Sequence, residues 1–165
     1  MSEVTCSLTI VGLGYVGLPL AQGACLGGMR VVGLDTDSSV VSGLSNGVSH
    51  IDDIDSVDLA AMAEAGFLAT NDSSCIRGSD VVVICVPTPL DDNGAPDLSA
   101  VEAAAWTVSE HLQSGSLVVL ESTTYPGTTE DIVRPILEEG SGLVAGTDFC
   151  LSYSPERIDP GNAEW

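Results

Sequence analysis

The chain has 165 residues, 44% hydrophobic but with only seven aromatics; that length buries a real core, and a core of Val, Leu, Ile and Ala suits a parallel sheet enclosed by helices. Against 24 acidic residues, 14 Asp and 10 Glu, stand four arginines and no lysine, for a net charge of −20. Such a surface excludes nucleic acid as a partner, because phosphate contacts need Lys and Arg, and the high, patterned apolar content argues against disorder. The acids run along the whole chain instead of collecting in a tail. This pattern predicts a salt-adapted cytoplasmic protein from a halophile, since high salt screens the self-repulsion. Cys6, Cys25, Cys75, Cys85 and Cys150 are odd in number and show no C-x-x-C spacing. They read as small buried residues in a reducing compartment.

Residues 4–29 carry no charge, which superficially suggests a signal peptide or membrane span. The preceding Glu3 is acidic where a signal needs basic residues, and six glycines and Pro19 interrupt the stretch. No membrane association is expected. Ser7 to Val11 reads as a strand, followed by a glycine-rich turn and a helix to about Gly27. Arg30 to Leu34 is a second strand, and a helix follows over roughly Ser38 to Leu44. Residues 47–66 are ambiguous. Asp52, Asp53, Asp55 and Asp58 suggest a loop, then a short helix over Leu59 to Glu64. Phe67 to Thr70 is a short strand.

Asp80 to Val86 is a continuous apolar run ended by Pro87, the pattern of a central parallel strand. Leu98 to Leu112 has helical spacing, with Asp97 as N-cap. Leu117 to Leu120 is another buried strand. Thr128 with Asp131 three residues on resembles a capping arrangement, opening a helix to Glu139 that Pro135 should kink. Phe149 to Tyr153 is a last strand. The alternation of strand and helix, with no internal repeat or linker, predicts one α/β domain over residues 1–165. Its architecture is a Rossmann-type doubly wound parallel sheet in three α/β/α layers.

Gly12-Leu13-Gly14-Tyr15-Val16-Gly17 is G-x-G-x-x-G, placed between a strand and a helix as the motif requires. Gly12 would allow the tight turn, Gly14 the approach of a pyrophosphate, and Gly17 close helix–strand packing. Free N–H groups at the helix N-terminus suit phosphate. Asp35, 18 residues after Gly17, ends the second strand, where a carboxylate accepts hydrogen bonds from the adenosine ribose. A 2′-phosphate would be repelled there and no arginine follows nearby, so NAD is favoured over NADP. The competing reading is a glycine-rich turn with an exposed acid behind it. Asp37 reads as a second, solvated acid.

Four segments carry a resemblance to a known family: VGLGYVGLPLA (11–21), ICVPTPLD (84–91), ESTTYPGTTEDIVRPILEE (121–139) and SPERIDPGN (154–162). They resemble the UDP-glucose/GDP-mannose dehydrogenases, and the wording of the last two looks most like UDP-N-acetylglucosamine 6-dehydrogenases. The resemblance implies oxidation of the C6 hydroxyl of a UDP-N-acetylhexosamine, or a UDP-hexose, to a carboxylate with reduction of two NAD. A cysteine carries the thiohemiacetal and thioester on the way. It implies that Gly12, Gly14, Tyr15, Val16, Gly17 and Asp35 hold the cofactor. Pro87, Thr88, Ser122 and Thr123 would lie beside its nicotinamide half, with Glu121 a further neighbour. Thr123 would also position a catalytic water, and Glu156 would lie near the reacting centre. Read from residue type alone, Thr123 could be a strand-end turn residue and Glu156 a surface partner of Arg157.

There are departures from the family pattern. Pro160 stands where UDP-glucose enzymes have a second glutamate, and Val40 where many members have a basic residue. The family's catalytic cysteine, and the central helix through which members dimerise, lie past the segment matched by Trp165. None of the five cysteines is assigned as nucleophile, and His50 and His111 read as structural or solvent-facing. The full-length protein is expected to be a homodimer, and this length alone to be inactive. Two other readings compete: a β-hydroxyacid dehydrogenase, against which STTYPGTT and SPER argue, and a non-catalytic NAD-binding redox sensor.

Overall fold

The computed structural model describes residues 6–90 and 94–155. Six strands form one sheet: β1 (Ser7–Val11), β2 (Arg30–Leu34), β3 (Leu68–Thr70), β4 (Val81–Ile84), β5 (Leu117–Leu120) and β6 (Cys150–Tyr153). All neighbours are parallel and the order is β3-β2-β1-β4-β5-β6. The order reverses between β1 and β4, which opens a crevice at their carboxyl ends. The expected doubly wound sheet is therefore present.

Parallel pairing forces each connection across a face of the sheet, and α-helices make those crossings except the one from β3 to β4. They are α1 (Gly17–Leu26), α2 (Ser38–Ser45), α3 (Ser56–Glu64), α4 (Ser99–Ser109) and α5 (Arg134–Ser141). The apolar runs split by alternation into two cores. Ile10, Val31 and Val83 pack with Leu18 and Ala21 of α1 and with Leu59 and Met62 of α3. Val82, Ile84, Val118 and Leu120 pack with Val101, Ala105 and Val108 of α4 and with Leu137 of α5. Among the described residues no helix is long and apolar enough to cross a membrane.

Several boundaries differ from expectation. Asp37 is not merely solvated: it caps α2, its carboxylate accepting the Ser39 N–H at 2.8 Å. The Ser39 hydroxyl, then its N–H, hold that carboxyl below its ordinary range. The stretch 47–66 yields a longer helix than expected. Asp55 accepts from the N–H groups of Val57 and Asp58, and Asp58 accepts from the Asp55 N–H, a reciprocal cap that starts α3 three residues before Leu59. Asp97 accepts the Ser99 N–H at 2.9 Å, but the N-cap position is Leu98.

Thr128 does not cap. Its hydroxyl donates to the Tyr125 carbonyl, and Thr129–Val133 forms a wide π-helical turn before α5 begins. Pro135 then sits in the first turn of α5, where a missing N–H is tolerated, so the irregularity takes the form of a wide turn before the proline. A 3₁₀ turn over Ser73–Ile76, capped by Asp72, lies in a stretch that gave no periodic signal.

Candidate cofactor-binding site

The turn from β1 into α1 lies at the centre of the crevice. Gly12 has φ +95°, and a Cβ there would stand 2.6 Å from the Cys85 carbonyl oxygen. A Cβ on Gly17 would overlap the Gly12 carbonyl. Both glycines are thus required by the protein's own packing. Gly14 differs: a Cβ there would meet nothing within 4 Å, so its smallness serves the space in front of the turn. The N–H groups of Gly14, Tyr15 and Val16 have no acceptor among the described residues. No side chain caps α1. Unclaimed donors facing open space at a helix N-terminus are the arrangement that holds a pyrophosphate.

Asp35 follows β2, half-buried. Its Oδ2 accepts the Leu13 N–H at 2.8 Å, and its Oδ1 accepts the Asp37 N–H at 2.9 Å. A third bond runs from the Gly12 N–H to the Leu34 carbonyl at 2.8 Å. The end of β2 therefore suspends the glycine-rich turn. Leu13 is fully buried and fills the space that Gly33 leaves open on β2; a Cβ on Gly33 would stand 2.5 Å from Leu13 Cδ2. Beside Asp35 opens a cleft of about 460 Å³ whose walls include Leu34, Pro87, Ala103 and Ala104, with Asn71 and Ser73 at its polar side. Apolar walls with few polar groups are the usual lining of a small-molecule site.

A second cleft of about 200 Å³ lies at the carboxyl ends of β4 and β5, lined by Val16, Cys85, Pro87, Thr88, Ser122 and Thr123 among others. Val86 and Pro87 border both clefts. Its hydroxyls are partly committed. Thr88 Oγ1 donates to the Thr123 carbonyl at 2.6 Å, and Ser122 Oγ donates to the Val86 carbonyl at 2.7 Å. These bonds tie the end of β4 to the end of β5. Ser122 is buried and Thr123 is exposed at the rim.

The structure thus gathers Gly12, Gly14, Tyr15, Val16, Gly17, Asp35, Pro87, Thr88, Ser122 and Thr123 around one crevice. Glu156 lies outside the described residues. The sequence reading missed Gly33, whose signal is a glycine inside a strand. It also missed Ser73 and the cleft face of α4, which become neighbours only through the crossover from β3 to β4. Burial pushes the Cys25 thiol up, and burial with nearby Asp72 does so at Cys75; neither has the lowered value of an activated nucleophile.

Comparison with known proteins agrees with this geometry. The chain is 39% identical over 158 residues to a UDP-N-acetyl-D-glucosamine 6-dehydrogenase of Pseudomonas aeruginosa, covering 95% of this chain and 36% of the relative. It is 41% identical over 156 residues to a UDP-N-acetyl-D-mannosamine dehydrogenase of Pyrococcus horikoshii, covering 93% and 37%. A solved structure of a UDP-D-ManNAc dehydrogenase from P. horikoshii superposes with a TM-score of 0.87 at 39% identity, over 94% of this chain and 37% of that one. The chain thus spans little more than a third of the length of these relatives. The family model that matches, over residues 6–164, is described as the NAD binding domain of the UDP-glucose/GDP-mannose dehydrogenases, and the chain belongs to that family.

Proposed function

We propose that this chain is the NAD-binding part of a nucleotide-sugar 6-dehydrogenase that oxidises the C6 hydroxyl of a UDP-N-acetylhexosamine to a carboxylate. The observation that carries this reading is the pair of clefts meeting at Val86 and Pro87 in front of the free N–H groups of Gly14, Tyr15 and Val16. Adenosine would occupy the larger cleft, with its ribose hydroxyls on Asp35, and nicotinamide the smaller. Bound there, NAD supplies the hydride acceptor. Pro87 and Thr88 wall the nicotinamide side, while Ser122 fixes the spacing of the two strand ends through the Val86 carbonyl. Thr123, at the exposed rim, holds a water through its hydroxyl; a role for Glu156 near the reacting carbon rests on the family resemblance. The names of the relatives support a UDP-N-acetylhexosamine as substrate.

None of the five cysteines of this chain is assigned as the thiol that would carry the intermediates. Homodimerisation of the full-length protein rests on the family resemblance alone. A halophilic, cytoplasmic origin is supported by the charge of −20 and by five cysteines held as thiols.

The test has two arms. Calorimetry in molar KCl should show NAD binding to the 165-residue chain. Absorbance at the NADH band should stay flat with UDP-N-acetylglucosamine, UDP-N-acetylmannosamine and UDP-glucose. Without a wall to hold C6 near the nicotinamide, the chain lacks positioning that contributes roughly 7–11 kcal/mol to such reactions. Failure of the folded chain to bind NAD would overturn the cofactor assignment, and steady NADH formation would show that its own residues complete the site.

A further inference from the structure

We infer that Ser73, set by His111, is the residue of the larger cleft that reads the adenine base, its hydroxyl donating to a ring nitrogen. The inference rests on the assignment of adenosine to that cleft. Ser73 begins the 3₁₀ turn after β3 and lines the cleft opposite Ala100, Ala103 and Ala104 of α4. Its Oγ lies 3.0 Å from Nε2 of His111, which follows α4. The other ring nitrogen, Nδ1, is buried without a hydrogen-bond partner among the described residues.

That orphan fixes the direction of the bond. Neutral imidazole has one donor and one acceptor nitrogen. With the proton on Nδ1, a buried N–H would go unsatisfied; with the proton on Nε2, only a lone pair would. Orphaned buried donors are the rarer of the two in folded proteins. His111 therefore donates from Nε2, Ser73 Oγ accepts, and the serine proton is left without a protein acceptor on the cleft side. As a mere clip between the 3₁₀ turn and the end of α4, the pair would be poor. A half-buried imidazole whose Nδ1 is shut off from solvent without a partner costs more than two apolar side chains of similar volume.

The other polar side chains of the cleft are differently placed. Thr107 Oγ1 donates to the Ala103 carbonyl at 3.0 Å, the Asn71 amide donates one proton to Ser38 Oγ at 3.2 Å, Asp35 already accepts from two backbone N–H groups, and the exposed Thr36 adjoins Asp35 on the ribose side of the cleft. Adenine presents ring nitrogens that accept and walls that prefer apolar contact. Ser73 is the donor that a second side chain, His111, orients for it.

Calorimetric titration of the chain with NAD, and with nicotinamide mononucleotide, which lacks adenosine, tests this. Ser73→Ala should weaken NAD about 2- to 10-fold, the range of a neutral hydrogen bond, and leave the mononucleotide unchanged. Ser73→Thr should restore NAD affinity to within about twofold. As a positioning residue, His111 should act only through Ser73, so that His111→Phe weakens NAD in the wild-type background but adds nothing to Ser73→Ala. Nitrogen NMR of the wild-type protein gives a readout independent of any variant: Nε2 should carry the proton, and its resonance should move with NAD but not with the mononucleotide. Equal NAD affinity in folded Ser73→Ala, an equal loss for both ligands, or a proton on Nδ1 would overturn the inference. Absence of NAD binding by the wild-type chain would instead remove the cofactor reading beneath it.

Discussion

Asp35 shows how one residue can carry two functions that a motif records as one. Spacing along the sequence places a carboxylate at the end of β2, where a ribose would be. It does not reveal that the same carboxylate already accepts the Leu13 N–H and so holds the glycine-rich turn. Asp35→Ala should weaken NAD about 10- to 100-fold, from loss of charge-assisted bonds worth roughly 1.5–3 kcal/mol; calorimetry in high salt measures it. A folded variant with unchanged affinity would show that the ribose lies elsewhere. Gly33 makes a complementary prediction. In Gly33→Ala the new methyl would collide with the buried Leu13, and overpacking of this kind costs typically about 1–3 kcal/mol. Thermal melts should show the loss, and NAD should bind more weakly because Leu13 belongs to the turn. The fingerprint was legible because Gly12 and Gly17 are required by contacts within a few residues or with the adjoining strand. Gly33, Ser73 and His111 were not: Gly33 lies outside the motif and meets Leu13 of the neighbouring turn, Ser73 meets His111 beyond a crossover, and no local period marks them.

Elements with a buried face were legible, and their ends were less so. Arg30–Leu34 and Leu117–Leu120 appear as predicted because a parallel strand covered on both sides is a bounded apolar run. The start of α3 was hidden because its first turn, Ser56-Val57-Asp58, is mostly exposed and is fixed by the reciprocal Asp55–Asp58 cap, not by apolar spacing. The π turn was hidden for another reason: Thr128 has the right type for a cap but directs its hydroxyl backward to Tyr125. The α3 cap gives a pH test. Hydrogen bonds from the Asp58 and then the Val57 N–H lower the Asp55 carboxyl below its ordinary range. Its stabilising effect is therefore present above the unfolded value of about 3.9 and is lost as pH falls through the lower folded value. In molar KCl the melting midpoint of Asp55→Ala should lie below that of wild type at pH 7, and the gap should close in the acid range below about pH 4. A gap that persists unchanged to pH 2.5 would show that the carboxylate charge is not what holds the cap.

The whole molecule carries its charge with little countercharge, four arginines against 24 acids. The ion pairs among the described residues are Arg134 with Glu130 and with Glu138, both one helical turn away and on the surface. Most of the net charge of −20 is thus held off by solvent and salt alone. Melting midpoints should rise along a KCl series toward 1 M, where the Debye length is ~3 Å; a flat or falling series would contradict salt adaptation. The way β2 carries the glycine-rich turn has a consequence of another kind. Through Asp35 and Leu34, one strand end sets both the carboxylate proposed to read the ribose and the height of the turn proposed to face the pyrophosphate. The two cannot drift apart independently, so with NAD bound as proposed the crevice would act as a fixed gauge, measuring the length from sugar to phosphate against a single reference edge and rejecting by dimension what its few polar groups would otherwise accept.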